Sequence, residues 1–193
     1  MIDVTFVSTN PGKFREIRDV LRPYGVRVRW KRRRLPEPQA EGLDAVVAAK
    51  LDAVADLKGY VVVEDSGLFI PSLRGFPGVY SAHFLEIWGF GPIFELMRHR
   101  ARKAYFQSTV GLRFGRKSWT FTGRVAGRIA LRAAGSGGFG YDPIFVPNGW
   151  RRTFAQGTPA EKNAISHRGR AIRQVGELLA RRPRSTRARH RRS

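Results

Sequence analysis

Residues 2–21 read Ile2-Asp3-Val4-Thr5-Phe6-Val7-Ser8-Thr9-Asn10-Pro11-Gly12-Lys13-Phe14-Arg15-Glu16-Ile17-Arg18-Asp19-Val20-Leu21. Over 2–8 apolar and polar side chains alternate, the period of a half-buried strand. Thr9, Asn10, Pro11 and Gly12 make a turn. Beyond it Phe14, Ile17, Val20 and Leu21 recur at the spacing of an amphipathic helix, and Pro23 and Gly25 stop that helix. A strand, a short loop and a helix at the head of the chain predict an α/β fold.

Working outward from this unit, the same alternation continues. Residues 26–31 alternate apolar and basic side chains and predict a strand near a sheet edge. Residues 42–57 predict a helix, with Leu43, Val46, Val47, Leu51, Val54 and Leu57 as its apolar positions and Gly59 marking its end. Residues 60–63 predict a short buried strand that delivers Glu64, Asp65, Ser66 and Gly67 to a loop. Residues 71–82, rich in Pro and Gly, read as a structured loop, and 90–100 as a helix. Two long strands are expected over 104–114 and 118–131, joined around Gly115, Arg116 and Lys117. A Gly-rich loop follows over 133–140, then a short strand over 144–146 and a final helix over about 165–180. The expected architecture is one α/β domain over residues 1–180, an elongated mixed sheet with flanking helices, followed by a basic tail over 181–193.

Composition bounds what such a domain does. The chain has 193 residues and 42% hydrophobic content, enough for a sizeable core. No run approaches the roughly 18 apolar residues of a membrane span, and the first residues lack the pattern of a signal peptide. A soluble, cytoplasmic protein without membrane attachment is expected. The absence of cysteine excludes disulfides and Cys-ligated zinc. The formal charge of +21 points to polyanionic partners: nucleic acid or phosphorylated small molecules. Seven arginines lie from Arg181 onward, and without them the chain still carries +14. A further cluster comprises Arg27, Arg29, Lys31, Arg32, Arg33 and Arg34. A solvated basic surface accounts for this pattern, as does attraction to nucleic acid. No RNP-type strand, KH loop or zinc finger is present, so any such attraction is expected to be non-specific.

Four segments could carry chemistry, and each also has an ordinary structural reading. The turn at Ser8, Thr9, Asn10, Pro11, Gly12 and Lys13 places amides and a lysine at a helix N-terminus, where a phosphate binds readily. Equally, Asn10 could cap the helix with Lys13 facing solvent. Acids are scarce, 15 against 36 Lys and Arg, so Glu64 and Asp65 after a buried strand, and Glu37 between Pro36 and Pro38, stand out. Carboxylates of this kind suit Mg²⁺, which takes one or two of them with phosphate and water, while Asp65 could simply cap a turn. Phe139 and Tyr141 beside Gly138 and Gly140 could stack on a base, with Asp142 accepting hydrogen bonds from it; Phe139 could also be a core side chain. Lys162, His167 and Arg168 lie near a helix start and could donate to phosphate or to purine carbonyls. The alternative is a Ser166 N-cap followed by solvated basic residues.

Taken in order, these segments resemble one family. They run Ser8-x-Asn10-x-x-Lys13, Pro36-Glu37-x-Gln39, Glu64-Asp65-Ser66-Gly67-Leu68, Gly75-x-Pro77-Gly78-Val79-Tyr80-Ser81, Gly138-Phe139-Gly140-Tyr141-Asp142-Pro143-Ile144-Phe145, Glu161-Lys162-Asn163 and Ser166-His167-Arg168-Gly169. The set is similar to the inosine/xanthosine triphosphate pyrophosphatase family, most of all its archaeal members, over about residues 2–180. The resemblance implies two lobes around a central cleft, a homodimer, and a purine nucleoside triphosphate as substrate. It further implies that the loop over 8–13 holds the triphosphate and that Glu37 and Asp65 position Mg²⁺, Asp65 also serving as base for the attacking water. Lys50 and Ser66 are implied to touch substrate, and Phe139 to stack on the purine in a pocket with Gly140, Tyr141 and Asp142. Lys162 is implied to contact phosphate or base, and His167 and Arg168 to read the base edge. The tail is not part of the family pattern, and Glu64 stands where many relatives have Asp or another residue; next to the metal position, it could support the metal ligands from behind or be a bystander. A nucleotide pyrophosphatase with pyrimidine preference shares the same chemistry.

Overall fold

The strand, loop and helix expected at the head of the chain form as β1 (Ile2–Val7) and α1 (Pro11–Leu21) in the computed structural model, which describes residues 1–181. The expected basic tail lies outside the described residues apart from Arg181. After α1 come β2 (Val26–Lys31), α2 (Leu43–Asp52), β3 (Tyr60–Phe69), α3 (Ser81–Trp88), α4 (Gly91–Leu96), β4 (Lys103–Phe114), β5 (Lys117–Ile129), β6 (Phe145–Pro147), α5 (Pro159–Ile165) and α6 (His167–Ala180). One mixed sheet takes the order β2-β1-β3-β4-β5-β6. The β2-β1-β3 portion is parallel and β3 to β6 antiparallel. The alternating strand at 26–31 sits at the edge, as its pattern predicts.

Sheet register positions the site. β1 pairs β3 only from Val4↔Tyr60 to Phe6↔Val62, whereas β4 pairs β3 along its whole length, from Tyr60↔Phe114 to Phe69↔Tyr105. β3 therefore runs on past the end of β1. Along that overhang lie Glu64, Asp65 and Ser66, beside the loop that leaves β1. Residues 64–67 are thus strand and not the loop that their Ser-Gly content predicts. Continuous pairing with β4 overrides the local signal. Gly67 serves close packing there, since a Cβ would collide with the carbonyl of Gly78.

Apolar packing falls into clusters on either face of the sheet and at its far end. Val4, Phe6, Val62, Val110 and Leu112 meet Ile17 and Leu21 of α1 and Ile172 and Val175 of α6 on one face. Val61 and Val63 meet Val47 and Leu51 of α2 on the other. Beyond the overhang, Leu68, Phe106, Val125 and Ile129 pack with Ile93, Met97, Ile144 and Phe145. The start of α6 presses onto β5 at Gly123, where a side chain would collide with the His167 carbonyl. Two helices were not anticipated, α3 and α5. α2 is also shorter than expected, its last residues forming turns. No helix among the described residues is long and apolar enough to cross a membrane.

Candidate active site

The loop after β1 is fixed by its own side chains. Ser8 Oγ accepts from the Asn10 amide at 3.1 Å, and Asn10 Oδ1 caps α1 by accepting from the Lys13 amide at 3.0 Å. Pro11 occupies the first helical turn, where its missing N–H costs nothing. Trp30 on the edge strand donates to the Ser8 carbonyl at 2.7 Å. Thr9 and Pro11 lie exposed at the crest of the loop. Asn10 caps as the ordinary reading requires, but Lys13 does not face solvent. Its Nζ turns inward to 2.8 Å from Glu64 Oε2.

Alternation along β3 sends Glu64 and Ser66 to one face and Asp65 to the other. On the first face a charged network joins α1, β3 and α6. Arg168 donates from Nε to Glu64 Oε1 at 3.1 Å, from one terminal nitrogen to Glu16 Oε2 at 2.5 Å, and from the other to Ser66 Oγ at 2.7 Å. Ser108 of β4 adds a 2.7 Å hydrogen bond to Glu64. Among the described residues, three of the five guanidinium N–H groups are so engaged. Lys162 Nζ lies 2.7 Å from Glu16 Oε1 and also bonds the buried carboxylate of Asp142. Burial pushes the Glu64 carboxyl up, yet the charges of Arg168 and Lys13, with hydrogen bonds from Lys13 and Ser108, hold it far below the usual carboxylate range. Asp142 is pushed up by burial against the pull of Lys162.

On the opposite face Lys50, rising from the last turn of α2, sits 2.7 Å from Asp65 Oδ1 and 3.2 Å from Glu37 Oε1. Lys50 and Asp65 are buried, while the Glu37 side chain is 69% exposed. Two carboxylates from separate segments thus converge on one cationic atom. This donor set fits Mg²⁺, which takes one or two carboxylates and completes its shell with phosphate and water. Among the described residues no cluster of three or more His, Asp or Glu is arranged for a metal.

Phe139 lies between the loop and the network. Its ring is 4.6 Å from Lys162 Nζ and 5.4 Å from the Arg168 guanidinium carbon, and it packs against Gly12, where a Cβ would come within 2.5 Å of it. Gly138 and Gly140 flank it at φ of 71° and 62°, the left-handed region that favours glycine. Asp142 Oδ2 accepts from the Phe139 amide at 2.8 Å and fixes the turn.

Two expected site residues point elsewhere. Tyr141 is buried in the far core, donating to the Ser81 carbonyl at 2.9 Å, with Phe90 beside it. His167 is buried and stacked on Phe106, ring centroids 4.6 Å apart, and its Nδ1 has no partner among the described residues. Burial, aided by Arg168 and Lys162, holds this imidazole neutral. Lys13, Lys50, Ser66, Phe139, Asp142, Lys162, Arg168, Glu37 and Asp65 are brought around the β3 overhang. Glu16 and Ser108 belong to the same network and were not anticipated. Glu16 had a signal, since it stands three residues after Lys13 and so on the same side of α1. Ser108 had none.

The Ham1 family model matches residues 4–178. The chain belongs to the Ham1 family. It is 45% identical over 178 residues to the dITP/XTP pyrophosphatase of Thermococcus kodakarensis, covering 91% of this chain and 96% of that protein. It is 44% identical over 181 residues to the dITP/XTP pyrophosphatase of Pyrococcus horikoshii, again covering 91% and 96%. Among solved structures, a HAM1 protein from Coxiella burnetii superimposes with a TM-score of 0.81 at 27% identity, over 94% of this chain and 100% of that one. The resemblance drawn from the motifs, and its archaeal character, are borne out.

Proposed function

We propose that this Ham1 family member is a nucleoside triphosphate pyrophosphatase that hydrolyses the non-standard purine nucleotides dITP, ITP and XTP to monophosphate and pyrophosphate, clearing them from the nucleotide pool. The observation that carries this reading is the convergence of Glu37 and Asp65 beside the capped loop over 8–13. The names of the two archaeal relatives support the substrate class. The same resemblance supports a homodimer, a cleft between two lobes, and work in the cytoplasm where the nucleotides are.

Glu37 and Asp65 would hold Mg²⁺, which when bound supplies charge neutralisation to the phosphates and polarises water. The loop over 8–13 and Lys13 hold the triphosphate at the α1 N-terminus. Water attacks the α-phosphorus; the bond to the bridging oxygen breaks, and pyrophosphate leaves with the electron pair. Asp65 accepts the proton of the attacking water. Little covalent work falls to the protein, so positioning and charge supply most of the rate. Phe139 stacks on the purine, and Arg168 and Lys162 donate to its 6-keto oxygen. Adenine presents a 6-amino donor there, leaving buried donors unpaired at a cost of about 1–3 kcal/mol each. A panel of inosine, xanthosine, guanosine, adenosine and modified pyrimidine triphosphates with pyrophosphate detection tests the reading. Fastest release from inosine or xanthosine triphosphate is expected, and preference for a pyrimidine overturns the purine assignment.

A further inference from the structure

Lys50 lies where Glu37 and Asp65 converge. Among the described residues, its Nζ is the one cationic atom shared by Asp65 Oδ1 at 2.7 Å and Glu37 Oε1 at 3.2 Å. The two carboxylates come from different segments, a strand and a Pro-flanked loop, and no hydrogen bond to other side chains holds them together. Asp65 is buried, so without a cation its charge would be uncompensated. A divalent ion takes carboxylate oxygens at about 2.0–2.1 Å. An ammonium bonded to those same oxygens would then lie about 4 Å from a doubly charged ion and be repelled by it at close range, which favours one cation over two in that place.

We infer that the Lys50 ammonium holds the cation position between Glu37 and Asp65, and that it yields this position to a divalent ion, passing to the substrate phosphates only when the metal arrives. The inference rests on the metal part of the proposed function. Lys50 suits the exchange. It ends a four-carbon flexible stem anchored in the rigid last turn of α2, so the charge can swing while the backbone stays. The exchange has two consequences. Before nucleotide arrives, Glu37 and Asp65 stay assembled at the cost of metal affinity. Once metal is bound, a freed cation is available where negative charge develops on the phosphates, and metal and nucleotide favour each other's binding.

The test is Mn²⁺ binding without nucleotide, followed by the electron paramagnetic resonance of free Mn²⁺, in the wild-type protein, Lys50→Met and Asp65→Asn. Lys50→Met is expected to bind Mn²⁺ about tenfold or more tighter than wild type, because a repelling charge is gone; Asp65→Asn should bind more weakly than wild type. A second measurement needs no variant at position 50. Amine acylation of Lys50, read by mass spectrometry in the wild-type protein, should rise several-fold on adding Mg²⁺, because the ammonium leaves its buried ion pairs. Equal Mn²⁺ affinity of wild type and Lys50→Met, or Lys50 acylation unchanged by bound metal, overturns the exchange and leaves the metal site standing. Absence of Mn²⁺ binding in wild type and Lys50→Met, with or without inosine triphosphate, overturns the metal site and the exchange together.

Discussion

Glu64 Oε1 accepts a hydrogen bond from Arg168 Nε at 3.1 Å, joining residues 104 positions apart in the chain. Through Glu64 the loop lysine Lys13 and the helix arginine Arg168 share one buried carboxylate. Removing it takes from Lys13 the ion pair that turns it inward and leaves the buried Arg168 with Glu16 as its carboxylate partner among the described residues. Glu64→Ala is expected to destabilise the fold by about 3–5 kcal/mol, with a smaller loss for Glu64→Gln, which keeps the shape. Urea unfolding measures both, and a Glu64→Ala midpoint equal to wild type contradicts the network's role.

His167 gives a pH dependence whose sign is fixed by its burial. Its folded-state pKa lies well below the ordinary 6.5. As pH falls through that value, the unfolded chain takes up a proton that the folded protein refuses, so stability declines toward acid. Between about pH 7.5 and about pH 5.5 this group is expected to cost about 1.4 kcal/mol. Denaturation midpoints at the two pH values should show the loss in wild type and a flatter dependence in His167→Gln.

Phe139 is the stacking surface of the proposed base site. Phe139→Ala should weaken binding of a non-hydrolysable inosine triphosphate by about 1–3 kcal/mol, or about 5- to 150-fold. Inorganic tripolyphosphate, which has no base, should keep its affinity. Calorimetry with the two ligands separates the contributions, and equal losses for both would remove Phe139 from base recognition.

The charge of +21 should act on nucleic acid only as a diffuse field. Part of the basic cluster is already occupied, since Asp3 pairs Arg27 and Arg29, and Asp56 pairs Arg33. Binding of a random DNA duplex is expected to fall steeply between about 50 and about 200 mM salt. Filter binding across that range checks this, and sequence-specific binding that persists at high salt contradicts it.

Periodicity made the fold legible where strands and helices carry one apolar face. β1, α1, β2, β4, β5 and α6 all follow their patterns. Legibility failed where long-range pairing overrides local signals. Ser66 and Gly67 read as loop, yet β4 holds them in β3. The Gly and Pro content of 71–82 concealed α3, whose start is tied to β3 by Ser81 Oγ accepting from the Leu68 amide at 2.8 Å. α5 did carry a signal in Thr158-Pro159-Ala160-Glu161, a capping box that the structure forms. Within the site, ordered motifs located the groups that converge. They did not show that Tyr141 and His167 turn into the core, because partners such as Ser81 and Phe106 are distant in sequence. They also left Lys13 undecided between solvent and interior, which only the position of Glu64 settles.

The central claim is attack of water on the α-phosphorus, and oxygen isotope labelling tests it most directly. Inosine triphosphate turned over with Mg²⁺ in H₂¹⁸O should yield inosine monophosphate carrying one ¹⁸O and pyrophosphate carrying none, read by mass spectrometry. Label in the pyrophosphate, or release of orthophosphate with inosine diphosphate, would contradict the account.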